Sequence, residues 1–365
     1  MFFYILLFVV LWLFSLITIK SDKKKQLLFF FAFIIIFWLI SWIRWETGTD
    51  WETYCPFFQE NYSLSEFMDP SHYTMEDGYR FYNYIIKQLS SSYTFLLLIT
   101  SSLIFAVKES FFVKYSPLPL ISLLACYALS RGDIFYTRQT ISCHICFLAS
   151  TALLSNKKLL FLLLIVLAST FHSAALSFLI MYPIIKYNSI GLKKLMLSTI
   201  VLSLLCFFIG AMIMSELSSF APGLISYKID RYMEAGDSMQ TGQSLTTLLI
   251  NGIINRGFFF ILFSIAAKQF YHDKIFRFFF LMYCALMVLF FLTVSINVSL
   301  TRIVIFFEIS QYILIAYFFK TKACKNKQLW VLLVGFYLFV RFYTSTLNGF
   351  YKDAFIPLKT VFDYI

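Results

Sequence analysis

The chain has 365 residues, is 60% hydrophobic and only 13% charged, and carries a net charge of +11. Soluble globular chains run nearer half apolar and a quarter charged, so a soluble domain is excluded. The positive charge sits mostly in short loops between apolar runs, a pattern that orients a protein in a membrane rather than one that binds nucleic acid.

In chain order, twelve apolar segments read as spanning helices, near 2–19, 27–43, 93–107, 117–130, 139–155, 159–171, 174–186, 195–214, 248–267, 275–294, 303–319 and 328–342. The expected fold is therefore all-α: one multi-pass membrane domain over residues 1–365 with about ten to twelve transmembrane helices. No basic segment precedes the first run, so it reads as a retained helix rather than a cleaved signal. The runs at 159–171 and 174–186 are short, and Thr170, Phe171, His172 and Ser173 interrupt them; short broken segments line cavities. Two loops are large, 44–92 and 215–247. In the first, Tyr79, Tyr82, Ile86 and Leu89 follow Gly78 on one helical face, which predicts a helix lying in the interface.

Threading the segments sorts the charges. One side collects seventeen lysines and a single arginine, Arg277, with only Asp22, Glu109 and Asp273 as acids. That side reads as cytoplasm. The other collects Arg44, Arg80, Arg131, Arg138, Arg231, Arg256, Arg302 and Arg341, and the remaining sixteen acids lie there or within the membrane. Guanidinium forks bind phosphate and carboxylate bidentately, so this outer face is expected to handle an anionic substrate.

Several constellations could carry that chemistry. Arg44 to Trp51 reads R-W-E-T-G-T-D-W directly after a spanning run, with Glu46 and Asp50 as carboxylates and Gly48 for a tight turn. Arg131-Gly132-Asp133 and Arg138-Gln139 stand at the outer end of two segments, where a helix N-terminus beside an arginine suits phosphate. His172 lies between two apolar half-segments and can act as a general base or a donor. Asn297, Thr301 and Arg302 precede a late segment that contains Glu308, a carboxylate that must face a cavity or partner. Asn251, Asn255 and Arg256 share a face that is expected to line the bundle interior. Lys228, Asp230 and Arg231 cluster in the second large loop. Cys143, His144 and Cys146 sit in an apolar run opposite no second ligand pair, so no metal site is expected there. The scattered cysteines imply no disulfide framework. The chain has no phosphate loop, no Asp-x-Asp pair for a metal on a nucleotide sugar, and no Gly-x-Ser-x-Gly elbow. A soluble nucleotide donor is therefore disfavoured, and no metal or other cofactor is expected.

Taken in order, these blocks resemble the EpsG-like branch of the Wzy-type bacterial polysaccharide polymerases. The resemblance rests on R-x-x-x-G-T-D-W-x-x-Y (Arg44, Gly48, Thr49, Asp50, Trp51, Tyr54), on acid-x-Gly-Tyr (Glu76, Gly78, Tyr79), on the Arg138-Gln139 helix start, on F-H-x-A (Phe171, His172, Ala174), and on Ser299 with Arg302. It implies a GT-C-like membrane glycosyltransferase in the bacterial cytoplasmic membrane. Such an enzyme moves a glycan from undecaprenyl diphosphate onto another undecaprenyl-diphosphate-linked repeat unit at the extracytoplasmic face. Its expected partners are those lipid-linked units, membrane lipid and a chain-length regulator, with no nucleic acid. On that reading Arg138 and Arg302, with Arg44 and Arg231, hold the diphosphate. Gln139, Tyr54 and Tyr79 line the substrate, Asp50 or His172 takes the acceptor proton, and Glu76 positions a sugar or an arginine. A flippase for the lipid-linked unit, an O-antigen ligase and a membrane acyltransferase are the alternatives.

Overall fold

The computed structural model describes residues 1–69, 75–135, 137–185, 190–220, 245–347 and 352–364. These are almost wholly helical, as a chain must be when its backbone polar groups have no water to bind. Six helices are long and apolar enough to cross a membrane: Lys23–Ile43, Tyr93–Tyr115, Leu192–Gly210, Leu249–Phe270, Lys274–Ile296 and Lys327–Leu347. A seventh span results if Leu300–Phe307 and Ile309–Phe318, bent 46° apart, are one broken crossing. The chain is thus an all-α polytopic membrane protein. Among the described residues, several hydropathy runs fold as helices too short to span.

The chain divides into two compact units. The first comprises Met1–Leu176 and Cys324–Ile365, the second Ser177–Ala323. In the first unit, α1 (Phe2–Thr18), α2 (Lys23–Ile43), α3 (Trp51–Glu60), α4 (Leu64–Phe67), α5 (Asp77–Leu89), α6 (Tyr93–Tyr115), α7 (Pro119–Ser130), α8 (Arg138–Leu154) and α9 (Lys158–Phe171) follow one another. After the second unit the chain returns as Lys327–Phe342. The strands β1 (Arg44–Trp45) and β2 (Lys359–Thr360) pair antiparallel, tying the tail to the end of α2. Asp22 caps α2 through the Lys25 amide, and in the second unit Asp273 caps Lys274–Ile296 through the Ile275 and Phe276 amides. Two of the three acids on the lysine-rich side are therefore helix caps, which explains their presence there.

Close helix approaches use glycine. A Cβ on Gly335 would come within 2.0 Å of the Trp12 indole, whose Nε1 donates to the Val331 carbonyl at 2.9 Å. Helix α5 does not lie free in an interface. Tyr79 and Ile86 are buried, Tyr82 reaches the Thr100 hydroxyl at 2.9 Å, and Leu89 is exposed, so the expected apolar face is one residue shorter.

One feature corrects the charge sorting. Helix α7 has twelve residues and stops at Ser130; Arg131, Gly132 and Asp133 then all take positive φ, at 56°, 66° and 60°. The hydropathy threading put Lys108 and Asp133 on opposite sides. The structure pairs them: Lys108 Nζ, fully buried, lies 2.9 Å from Asp133 Oδ2 and also donates to the Gly132 carbonyl. Lys108 stands fifteen residues into α6, about 22 Å along its axis at 1.5 Å per residue. A polar backbone break inside a bundle is tolerated only where side chains satisfy it, and Lys108 does so here. His144 lies against the same pair, its Nε2 4.0 Å from Asp133, rather than in a metal cluster with Cys143 and Cys146.

Removing one partner of a buried pair strands the other. Lys108→Met is expected to cost about 3–5 kcal/mol, and Lys108→Met with Asp133→Asn to recover most of it. Thermal unfolding of the purified protein in detergent measures both, and equal losses for the single and double variants would contradict the pairing.

Candidate functional site

The RWETGTDW block folds as a turn clamped from three directions. Arg44 is buried at the end of α2; its Nε donates to the Ser41 carbonyl at 3.2 Å, an amino group donates to the Thr47 carbonyl, and its guanidinium lies 5.8 Å from the Trp51 ring centre. Gly48 has φ +116°, and a Cβ there would meet Arg44 and the Phe135 carbonyl at 2.9 Å, so the position requires glycine. The Gly48 amide donates to the Ala354 carbonyl at 2.6 Å, and the Lys359 amide donates to the Thr47 hydroxyl at 3.1 Å. The tail therefore buttresses the turn. Arg44 thus helps to shape the turn, and Asp50 stands half-buried at the start of α3.

Glu76 joins the next three blocks. Its Oε2 accepts from Arg138 at 2.7 Å, and its Oε1 accepts the Ser173 amide at 2.9 Å. One carboxylate thus bridges the start of α5, the N-terminus of α8, and the break after α9. Gly78 permits this, because a Cβ there would strike the Thr170 side chain at 2.3 Å and its carbonyl at 2.7 Å. On α8, the Ser142 hydroxyl donates to the Ala168 carbonyl at 2.7 Å, which fixes α8 against α9 just before His172.

Two tyrosines form the floor. Their rings are 5.2 Å apart, Tyr54 lies 5.8 Å from the Arg138 guanidinium, and Tyr79 meets the Thr137 hydroxyl at 3.4 Å. Burial raises both phenols above their ordinary range, and the Asp50 charge adds to the rise, so both remain neutral. Burial pushes Tyr82, behind them, up to about 12. Asp50 opens the helix that carries Tyr54, whose amide donates to the Asp50 carbonyl at 2.9 Å. His172 caps α9, and its Nδ1 faces the Ala174 amide at 3.4 Å. An accepting Nδ1 leaves Nε2 as the protonated nitrogen of the neutral ring.

The structure therefore brings together Asp50, Tyr54, Glu76, Tyr79, Arg138 and the His172-Ser173 break, residues far apart in sequence. Gln139 follows Arg138 on the same first turn, half-buried. Arg302 is exposed on the 3-10 helix Val298–Phe307 of the second unit, and Arg231 lies outside the described residues. The Gly78–Thr170 contact and the Ser173 amide bond to Glu76 are not legible in the sequence, since a close approach exists only in the fold and a backbone donor carries no residue signature. In the second unit the pairing of Arg256 with Glu308 is not legible either; of the face expected to line the interior, Asn251 is exposed. Among the described residues, no group of three or more His, Cys, Asp or Glu is placed to hold a metal ion.

The EpsG family matches residues 27–360, nearly the whole chain, and the protein belongs to that family, one of Wzy-like polysaccharide polymerases. No curated protein sequence and no solved structure matches it significantly.

Two outcomes test the construction. Gly78→Val is expected to force α5 off α9, break the Glu76–Ser173 contact, and abolish activity while the spanning helices persist; Gly191→Ala, which meets nothing within 4 Å, is the neutral control. Activity alongside folded-protein yield checks this, and full activity of Gly78→Val would contradict the close approach. The second outcome concerns the tail. Hydrogen bonds from Lys359, at 2.7 Å, and from Tyr364 hold Glu46 below its ordinary value of 4.5. A depressed carboxylate stabilises above its ordinary value and loses that contribution as pH falls through its lower folded value. Lys359 is raised from 10.5, so its share is lost only in strong alkali. Protection of the 359–364 amides, measured against each amide's intrinsic exchange rate, is expected to be high at neutral pH and to fall below about pH 4.5. Glu46→Gln should weaken that pH dependence and leave the part that Asp363 contributes through its bonds from Thr360.

Proposed function

We propose that this protein is a membrane glycosyltransferase that polymerises lipid-linked repeat units on the extracytoplasmic side of the bacterial cytoplasmic membrane. The donor is a glycan on undecaprenyl diphosphate, and the acceptor is a sugar hydroxyl of a second undecaprenyl-diphosphate-linked unit. The observation that carries this reading is the bridge that Glu76 makes to Arg138 and to the Ser173 amide beside His172, next to the buried Tyr54–Tyr79 pair of the helix that Asp50 opens and its neighbour. Orientation follows from the lysine-rich loops facing the cytoplasm.

Each group has a task. Asp50 takes the proton of the acceptor hydroxyl as its oxygen attacks the anomeric carbon of the donor. The bond from that carbon to the diphosphate oxygen breaks, and undecaprenyl diphosphate leaves with the electron pair. Arg138, at the N-terminus of α8, stabilises the charge that grows on the diphosphate. Glu76 holds the Arg138 fork and the Ser173 amide at one height, so the guanidinium is aimed before substrate arrives. In this reading His172, whose Nδ1 faces the Ala174 amide, serves as a donor and Asp50 as the base. Tyr54 and Tyr79 supply an aromatic floor and neutral hydroxyls for sugar. Gln139 extends that polar lining. Arg44 acts by shaping the turn that carries Asp50. Arg302 and Arg231 remain candidates for contacting the diphosphate or the glycan. A chain-length regulator is the protein partner this reaction invites.

Buried charge pairs such as Lys108–Asp133 would also suit a transporter of the same lipid-linked unit. An acid beside an arginine and an aromatic floor is a bond-making arrangement, and the cell phenotype separates the two. In a deletion strain, wild type is expected to restore the long-glycan ladder. Asp50→Asn and Arg138→Gln should lower polymer output by about 10²–10⁴-fold, the usual worth of a general base or a charge-stabilising group, and leave single exported repeat units. Arg138→Lys should fall between, because a point charge cannot fork onto a diphosphate. A full ladder from Asp50→Asn at normal protein level would contradict the assignment. Loss of every rung, the first included, would point to a flippase or a ligase.

A further inference from the structure

The C-terminal tail leaves an aromatic and charged surface beside the turn that carries Asp50. Strand β2 pairs Lys359 with Trp45, and the chain then turns back through the 3-10 helix Val361–Tyr364. The Thr360 amide and hydroxyl hold that return by donating to Asp363 at 2.6 and 2.9 Å. The Tyr364 ring thereby comes to 6.2 Å from the Trp45 ring, tilted by 54°, and Trp45 meets Trp51 edge-on at 4.9 Å. Glu46 takes two donors on one oxygen: Lys359 Nζ lies 2.7 Å from Oε2, and the Tyr364 hydroxyl donates to the same atom. Its Oε1 carries no bond among the described residues. Tyr364 is 52% exposed, and the Glu46 and Lys359 side chains are 43% and 42% exposed. All of these residues belong to the first unit.

Latching the tail does not call for this surface. The Gly48–Ala354 and Thr47–Lys359 bonds already fix the tail's backbone, and an exposed ion pair adds little stability. Aromatic rings beside a carboxylate and an ammonium suit few ligands. An aliphatic chain would strand the ion pair. A phosphate or other polyanion would meet the like charges of Glu46 and Asp363. An uncharged sugar ring satisfies every group. Its C–H face packs on an aromatic ring, and its hydroxyls donate to Glu46 Oε1 and accept the Lys359 hydrogens that Glu46 does not use.

The surface stands next to the proposed chemistry. Trp45 precedes Asp50 by five residues, at most about 18 Å of extended chain. The turn shortens that path, since Trp51, adjacent to Asp50, folds back onto Trp45. We propose that Trp45, Glu46, Lys359 and Tyr364 form a subsite for a neutral pyranose of the acceptor glycan, close along that glycan to the sugar whose hydroxyl Asp50 deprotonates. Trp45 and Tyr364 carry its apolar face, and Glu46 and Lys359 select its hydroxyls. The inference rests on the polymerase reading and adds a specificity subsite to it.

The test uses the repeat-unit oligosaccharide that mild acid releases from the lipid-linked intermediate of the source strain, free of lipid and diphosphate. Saturation-transfer NMR follows its binding to the purified full chain in detergent, and elongation of the lipid-linked unit is measured on the same preparations. Wild type is expected to bind. Tyr364→Leu removes the ring, so it should weaken binding by roughly fivefold or more and raise KM by a similar factor with kcat little changed. Tyr364→Phe gives up the bond to Glu46 but keeps the ring, so it should loosen the tail and still bind within about twofold of wild type. A cluster that merely latches the tail predicts otherwise: both variants would lose amide protection over 359–364 and bind alike. Equal binding by wild type and both variants, or equal loss in the two variants, overturns the proposal, as does a wild type that does not bind. Binding without elongation by wild type would overturn the polymerase reading and leave the sugar subsite standing. Elongation with equal binding by all three proteins would do the reverse.

Discussion

The site depends on one carboxylate accepting two different donors. Glu76 takes the Arg138 fork with one oxygen and the Ser173 amide with the other, and so ties three helix ends together. A charged acceptor roughly doubles the strength of each bond, and the partly buried setting screens it less than open water would. Without Glu76, an arginine at a helix N-terminus would face that end's positive dipole with no counter-charge. With it, the guanidinium is paired and fixed beside Tyr54.

Around that contact the first unit is built for rigidity. Gly78 brings α5 onto Thr170, Ser142 pins α8 to α9, and the tail strand buttresses the turn that carries Asp50. Lys108 neutralises Asp133 and caps the broken end of α7, so the break that leads into Arg138 is polar yet satisfied. Glycine, buried charge and irregular backbone all cluster at this end of the unit. Catalytic geometry needs such support, because a group that is free to move loses the advantage of being in place.

Much of this was legible in the sequence, and what escaped has physical reasons. The all-α membrane class followed from apolar runs, and the short motifs in their order pointed to the family that the match over 27–360 shows. Asp50, Glu76, Arg138 and His172 stood out in the sequence because charged or titratable groups beside spanning runs are conspicuous, whereas the bonds that join Glu76 to Arg138 and Ser173 did not. Sidedness of individual residues was less secure. Lys108 looked like a loop lysine from hydropathy, yet its long stem lets it reach Asp133 from within α6. Two of the Arg44 donors meet the Ser41 and Thr47 carbonyls, contacts that the sequence does not mark because backbone acceptors carry no residue signature. An apolar run reports burial and not whether a helix crosses, breaks or stops short, so the 46° bend before Ile309 was not legible in it. Arg256 and Glu308 lie fifty-two positions apart, and each alone carries no sign of its partner.

The most direct measurement uses purified protein and a single undecaprenyl-diphosphate-linked repeat unit, with lipid products followed over time. The account predicts lipid-linked glycans that lengthen by whole repeat units, with one undecaprenyl diphosphate released for each bond formed. Unchanged repeat units, or release of undecaprenyl diphosphate without any lengthening, would contradict it.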